Sequence, residues 1–195
     1  MIEWCIAGCR VRLSCLFFAT AALLLTVDQS GVAAAGLAAS LLHETGHLVT
    51  MLFLGCHPSA VCLGVFGMRV EYPQSIRVGY LRSAVISLAG PAVNLLMAGL
   101  LFHKGATMHA CVQLTLGSFN LLPIEALDGG QALRCLLLRR IRPERAGRMV
   151  TVSSVVCLAA VALTGLLVLL STRYNFTLLL FALYLTFLLI FKKKD

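Results

Sequence analysis

Apolar residues run along this chain in blocks separated by short polar stretches, at roughly 11–27, 31–55, 82–102, 106–123, 150–171 and 174–191. A hydrocarbon core about 30 Å thick needs about 20 helical residues to cross, so each block is read as a spanning helix; the first is short for it. Between the second and third blocks the period changes. Val61, Leu63, Val65, Met68 and Val70 alternate with small or polar neighbours, and Gly64, Gly67 and Gly79 punctuate the run. That pattern predicts a short β-hairpin or re-entrant loop within 56–81. The expected fold is an all-α polytopic membrane protein, with about six transmembrane helices and that hairpin or loop between the second and third.

Composition agrees with lipid as a solvent. The 195 residues are 59% hydrophobic and 12% charged, with a mean hydropathy of +0.93. A soluble chain of this size has too little interior to hide so much apolar surface. The net charge of +8 is the one feature that points toward nucleic acid, and its placement argues against it. The cations flank apolar blocks, where they set topology, and no helix-turn-helix, aromatic-studded sheet or zinc finger accompanies them.

With a cytoplasmic N-terminus and six alternating blocks, the inner side collects Arg10, Arg12, Arg69, Arg77, Arg82, six arginines of 134–148 and Lys192 to Lys194. The outer side receives only Lys104 and Arg173. Fourteen cations against two supports both the block count and cytoplasmic N- and C-termini. The basic 134–148 stretch, broken by Pro143, is expected to be a cytoplasmic surface helix drawn to anionic lipid.

Arg10 and Arg12 ahead of an apolar run look like a signal peptide, but Val27 to Ser30 offer no small-x-small cleavage site, so a retained first helix is expected. Eight scattered cysteines include no C-x-x-C pair and read as small buried apolar residues, with Cys56 and Cys62 as outside candidates for a metal.

Inside the second block stands His43-Glu44-Thr45-Gly46-His47, an H-E-x-x-H sequence. Residues four apart share a helix face, so two imidazoles can converge on one Zn²⁺, while Glu44 projects beside it as a general base. A central charge costs about 2.5 kcal/mol or more in lipid, which makes plain packing a poor reason for three ionisable residues in five positions. The small residues Ala33 to Ser40 ahead of the motif suit a helix packed centrally in a bundle.

Two histidines leave catalytic zinc short of its usual three protein ligands. The candidates are Glu71, His103, His109, Glu125 and Asp128. Asp128 follows the end of the fourth block, with Gly129 and Gly130 behind it. The charge count puts this break on the same side as the C-terminal half of the second block; His103 and His109 fall near the other face.

The chain resembles the site-2 protease family of intramembrane metalloproteases. The likeness rests on His43-Glu44-x-x-His47, on Ala89-Gly90-Pro91-Ala92-Val93-Asn94, and on Asn120-x-x-Pro123 leading to Leu127-Asp128-Gly129-Gly130, in the family's order over about 31–135. The resemblance implies a single membrane-embedded metalloprotease domain over 1–195, with a catalytic core at about 31–135 and accessory helices at about 11–27, 150–171 and 174–191. It implies zinc held by His43, His47 and Asp128, Glu44 as general base, and Asn120 near the substrate or its developing oxyanion. Asn94 is the second substrate-binding candidate; a helix-packing amide beside a proline kink is the plainer reading.

Many relatives carry another proline before the Leu-Asp-Gly unit, where this chain has Glu125-Ala126; Glu125 reads best as a solvated residue at the membrane edge. The compact layout looks most like the branch containing the bacterial sporulation protease that releases a membrane-tethered sigma-factor precursor. That implies a membrane-protein substrate, a bacterial cytoplasmic membrane and regulated release. The rival is a zinc carrier or sensor without proteolysis; the absence of ionisable residues in the last two blocks argues against a transport path.

Overall fold

The computed structural model describes the backbone of residues 2–6, 9–13, 15–56, 60–64, 67–71 and 79–192, and side chains over 18–56 and 79–190. The described elements follow in the order β1 (Ile2–Ile6), β2 (Cys9–Leu13), α1 (Cys15–Val27), α2 (Val32–Phe53), β3 (Ala60–Gly64), β4 (Gly67–Glu71), α3 (Tyr80–His103), α4 (Thr107–Asn120), α5 (Asp128–Leu138), α6 (Pro143–Thr172) and α7 (Thr177–Lys192). They fall into two compact units, Met1–Ser118 and Phe119–Asp195.

Helices dominate, and each apolar block contains one. Among the described residues, α3 and α6 are both long and apolar enough to cross a membrane; α1 and α7 carry shorter apolar runs, Phe18–Val27 and Thr177–Ile190. Their outer faces are apolar too, with Leu96 and Leu183 among the most exposed side chains. Lipid accommodates such surfaces and water does not.

Three features differ from the pattern reading. Residues 2–6 and 9–13 form β1 and β2, so β2 takes in the start of the first block, and α1 starts only at Cys15. Apolar blocks report helices well, but a short strand before one leaves little signal. Second, α4 stops at Asn120, because Pro123 disfavours helical geometry at the residue before it and removes a donor. Third, 134–148 is not one helix. It closes α5, turns, and opens α6, with Pro143 in the first turn, where its missing N–H is not needed.

The four strands form one sheet in the order β1-β2-β3-β4. β2 runs parallel to β3 from Arg10↔Ala60 to Leu13↔Leu63. β3 pairs antiparallel with β4, from Ala60↔Glu71 to Gly64↔Gly67. Residues 57–59, 65–66 and 72–78, which belong to the expected hairpin or loop, lie outside the described residues, as do the side chains of Cys62 and Glu71.

In the first unit α2 lies directly on α3. A Cβ on Gly46 would meet Val93 Cγ2 at 3.0 Å and the Ala89 carbonyl at 3.1 Å, so glycine there lets the two backbones approach. Ala35 and Ala39 of α2 and Ala84 of α3 are buried with it. Cys56 is 2% exposed in an apolar cluster with Met51 and Ile86, the environment of a structural thiol. In the second unit Ile124, Leu158 and Leu185 form the core, and Phe119 meets Phe181 edge-on at 5.3 Å.

The entry to α2 is fixed by Asp28. Its carboxylate accepts hydrogen bonds from the Ser30 backbone at 3.0 Å and the Ala33 backbone at 2.6 Å, as well as from the Ser30 hydroxyl. Gly31 supplies the left-handed φ of +78° that the turn needs. The Ser30 hydroxyl, followed by the backbone donors, holds the Asp28 carboxyl below its ordinary value. A carboxyl more acidic in the folded state stabilises above its unfolded pKa, and that contribution is lost as the pH falls through the folded value. We therefore expect the protection factor of the Ala33 amide against hydrogen exchange to fall as the pH drops through the lowered Asp28 pKa. In Asp28→Ala it should be low at every pH.

Candidate metal centre

His43 and His47 lie four residues apart on α2, on the face turned toward α3, and are 5% and 8% exposed. Their rings meet edge-on with centroids 4.8 Å apart. Their Nε2 atoms are 3.1 Å apart. Two nitrogens each about 2.0–2.1 Å from one tetrahedral ion stand about 3.3 Å apart, so this spacing is close to that of a ligand pair.

A backbone carbonyl fixes which nitrogen of His47 can bind. Its Nδ1 lies 2.7 Å from the Ile86 carbonyl oxygen of α3. A carbonyl only accepts, so Nδ1 carries the proton, and the neutral ring keeps its lone pair on Nε2, facing His43. The bond falls in the turn of α3 that ends at Pro91, whose missing N–H leaves the Ser87 carbonyl without its helical donor.

Gly90 completes the cradle. A Cβ there would overlap Nε2 and Cε1 of His47 and Nε2 of His43. The two imidazoles thus occupy the space that a side chain at 90 would take. Glu44, next to His43, is half-buried. The donor pair, its fixed tautomer and its burial fit a resident metal.

Asn94 lies one turn beyond Gly90, is fully buried, and directs its Nδ2 at 3.5 Å toward the Ala39 carbonyl of α2. That places it in the α2–α3 contact, one turn before His43. His103 and His109 are exposed around the α3–α4 turn. His103 is thirteen residues along α3 from Gly90, roughly 20 Å, too far to share an ion with His43 and His47.

In the second unit, Asn120 ends α4 and Asp128 opens α5; both are half-buried. The two glycines after Asp128 have a steric reason. A Cβ on Gly129 would overlap the Leu121 carbonyl, and one on Gly130 would overlap the Ile124 carbonyl. The 121–127 loop thus folds back onto the first turn of α5 with no gap. Glu125, expected as a solvated residue, is paired instead with Arg134 at 3.6 Å, and its carbonyl accepts the Gln131 amide at 3.0 Å.

Three comparisons bear on this arrangement. The model of Peptidase family M50 matches residues 103–161, the stretch that holds Asn120 and Asp128. The fold matches the site-2 protease from Methanocaldococcus jannaschii with a TM-score of 0.63 and 24% identity, covering 95% of this chain and 92% of that one. The chain has the site-2 protease fold. A search of curated proteins finds no match. The family model thus covers the last of the three motifs, Asn120 to Gly130, and the solved structure bears out the fold.

Sequence reading named both histidines and quoted Gly90 within a motif, but missed the closeness of Gly90 to the imidazoles and the Ile86 carbonyl. The Gly90-Pro91 pair was visible, yet its closeness to α2 depends on how two helices cross. At an open helix position Gly→Ala gains about 0.5–1 kcal/mol. Here the sign should reverse: Gly130→Ala is expected to destabilise the protein by about 1–3 kcal/mol, read as a lower thermal midpoint in detergent. Gly90→Ala should weaken Co²⁺ binding by about tenfold or more, as loss of ligand support does. Gly99→Ala, where a Cβ meets nothing within 4 Å, should leave it unchanged.

Proposed function

We propose that this protein is a zinc-dependent intramembrane protease. It hydrolyses a peptide bond in or near a transmembrane segment of a membrane-protein substrate, close to the cytoplasmic face, and so releases a membrane-tethered factor. The observation that carries the reading is the His43–His47 pair, spaced as ligands are and locked in one tautomer by the Ile86 carbonyl. The peptidase family match and the site-2 protease fold give the chemistry its class.

In this reading Asp128 joins the two histidines. Two imidazole nitrogens and one carboxylate oxygen make a donor set that could hold one metal ion, with a position left for water or substrate. Zinc bound there would act as a Lewis acid, polarising the scissile carbonyl and acidifying the attacking water. Glu44 takes the proton from that water and passes it to the leaving amine. Asn120 holds the substrate or donates a hydrogen bond to its developing oxyanion. Asn94, buried against Ala39, serves the reaction by keeping α2 and α3 in register.

The substrate helix must unwind before it can be cut, since an intact helix keeps its carbonyls in internal bonds. β4 stands at an edge of the four-stranded sheet, and an unwound segment can add to that edge. The six apolar blocks cross a bacterial cytoplasmic membrane, with both termini in the cytoplasm, as the fourteen-to-two cation asymmetry supports. Regulated release rests on the resemblance to the sporulation branch.

Co-expression with single-span membrane substrates tests the reading. Glu44→Gln should keep bound zinc and lower cleavage by about 10²–10⁴-fold; His43→Ala should lose the metal and the activity together. Undiminished cleavage by Glu44→Gln would sink the proposal.

A further inference from the structure

The loop that leads into Asp128 is irregular backbone next to apolar helices. Polar backbone groups in such a place need partners, and serine hydroxyls of neighbouring helices are one source. α6 supplies two. Ser154 is fully buried, and its hydroxyl donates to the Val150 carbonyl at 2.7 Å in its own helix. With its one hydrogen so placed, the oxygen accepts the Glu125 backbone N–H at 2.8 Å. Ser153 directs its hydroxyl to the Pro123 carbonyl at 2.9 Å, with the Val150 carbonyl at the same distance.

The opposite side of the loop is the first turn of α5. Gly129 and Gly130 lie against the carbonyls of Leu121 and Ile124 so closely that neither tolerates a Cβ. The loop is therefore held between two serines on one side and the backbone following Asp128 on the other. A shift of the loop has no slack in which to be absorbed before it reaches Asp128.

We infer that Ser154, assisted by Ser153, is a positioning residue for Asp128, and that α6 sets the geometry of the metal centre. This gives the helix a task that its largely apolar sequence pattern did not indicate. The inference rests on Asp128 being a metal ligand, as proposed above.

The full-length protein in detergent, loaded with Zn²⁺ or with Co²⁺ as a spectroscopic probe, provides the test. Ser154→Ala should raise the Zn²⁺ dissociation constant by about 10-fold or more, in the range known for groups that orient ligands. It should also change the visible Co²⁺ absorption bands at saturation. Ser154→Thr, which keeps the hydroxyl, should restore both. If Ser154→Ala does not fold, Ser153→Ala carries the test, with shifts expected in the same direction.

A lower thermal midpoint with unchanged affinity and an unchanged Co²⁺ spectrum would reduce the serines to structural groups and overturn the inference. Asp128→Ala separates the two levels. If it binds Zn²⁺ like the wild type, the ligand assignment fails and the role of the serines falls with it. If it loses Zn²⁺ while the serine variants bind normally, only the present inference fails.

Discussion

The close approach of α2 and α3 is the constraint on which the histidine pair depends. It is made by omission: glycine at 46 lets the backbones come together, and glycine at 90 leaves a hollow just large enough for two imidazoles. In that hollow one backbone carbonyl holds the proton of His47 and so decides which nitrogen faces His43. Buried polar groups are costly in an apolar surrounding unless they are partnered. The same helix contact that buries His47 also supplies its partner.

The second unit solves a related problem in another way. Asp128 begins a helix, so its location depends on the seven loop residues before it, which lack regular hydrogen bonding. Side chains supply it instead: Gln131 from α5, and Ser153 and Ser154 from α6. The Glu125–Arg134 pair adds a charged tie, although its partly exposed geometry is worth little in energy. Side-chain hydrogen bonds hold the segment where this chain has Glu125-Ala126 in place of a further proline.

Much of this was legible in the sequence, and the reasons are physical. Hydrophobic blocks predict helices because a spanning segment must satisfy its own backbone, and every block contains one. The motif histidines were readable because helical spacing alone puts residues 43 and 47 on one face. Other parts depend on tertiary proximity, which leaves no local trace. Ile86 is an ordinary apolar residue whose carbonyl matters, and Ser153 and Ser154 look like incidental polar residues in a long apolar run. The strands of 2–6 and 9–13 escaped for another reason: β1 pairs with its short neighbour β2, and β2 in turn pairs with β3, some fifty residues away and beyond two helices.

That last pairing fixes a parity. β2 leads into α1, α2 leads out toward β3, and the two strands are hydrogen-bonded to each other. Strands joined in this way lie on the same side of any bilayer, so the chain between them crosses it an even number of times. α1 and α2 must therefore both span or both fail to span. If α2 inserts, the shorter α1 is committed to returning the chain to the side it left.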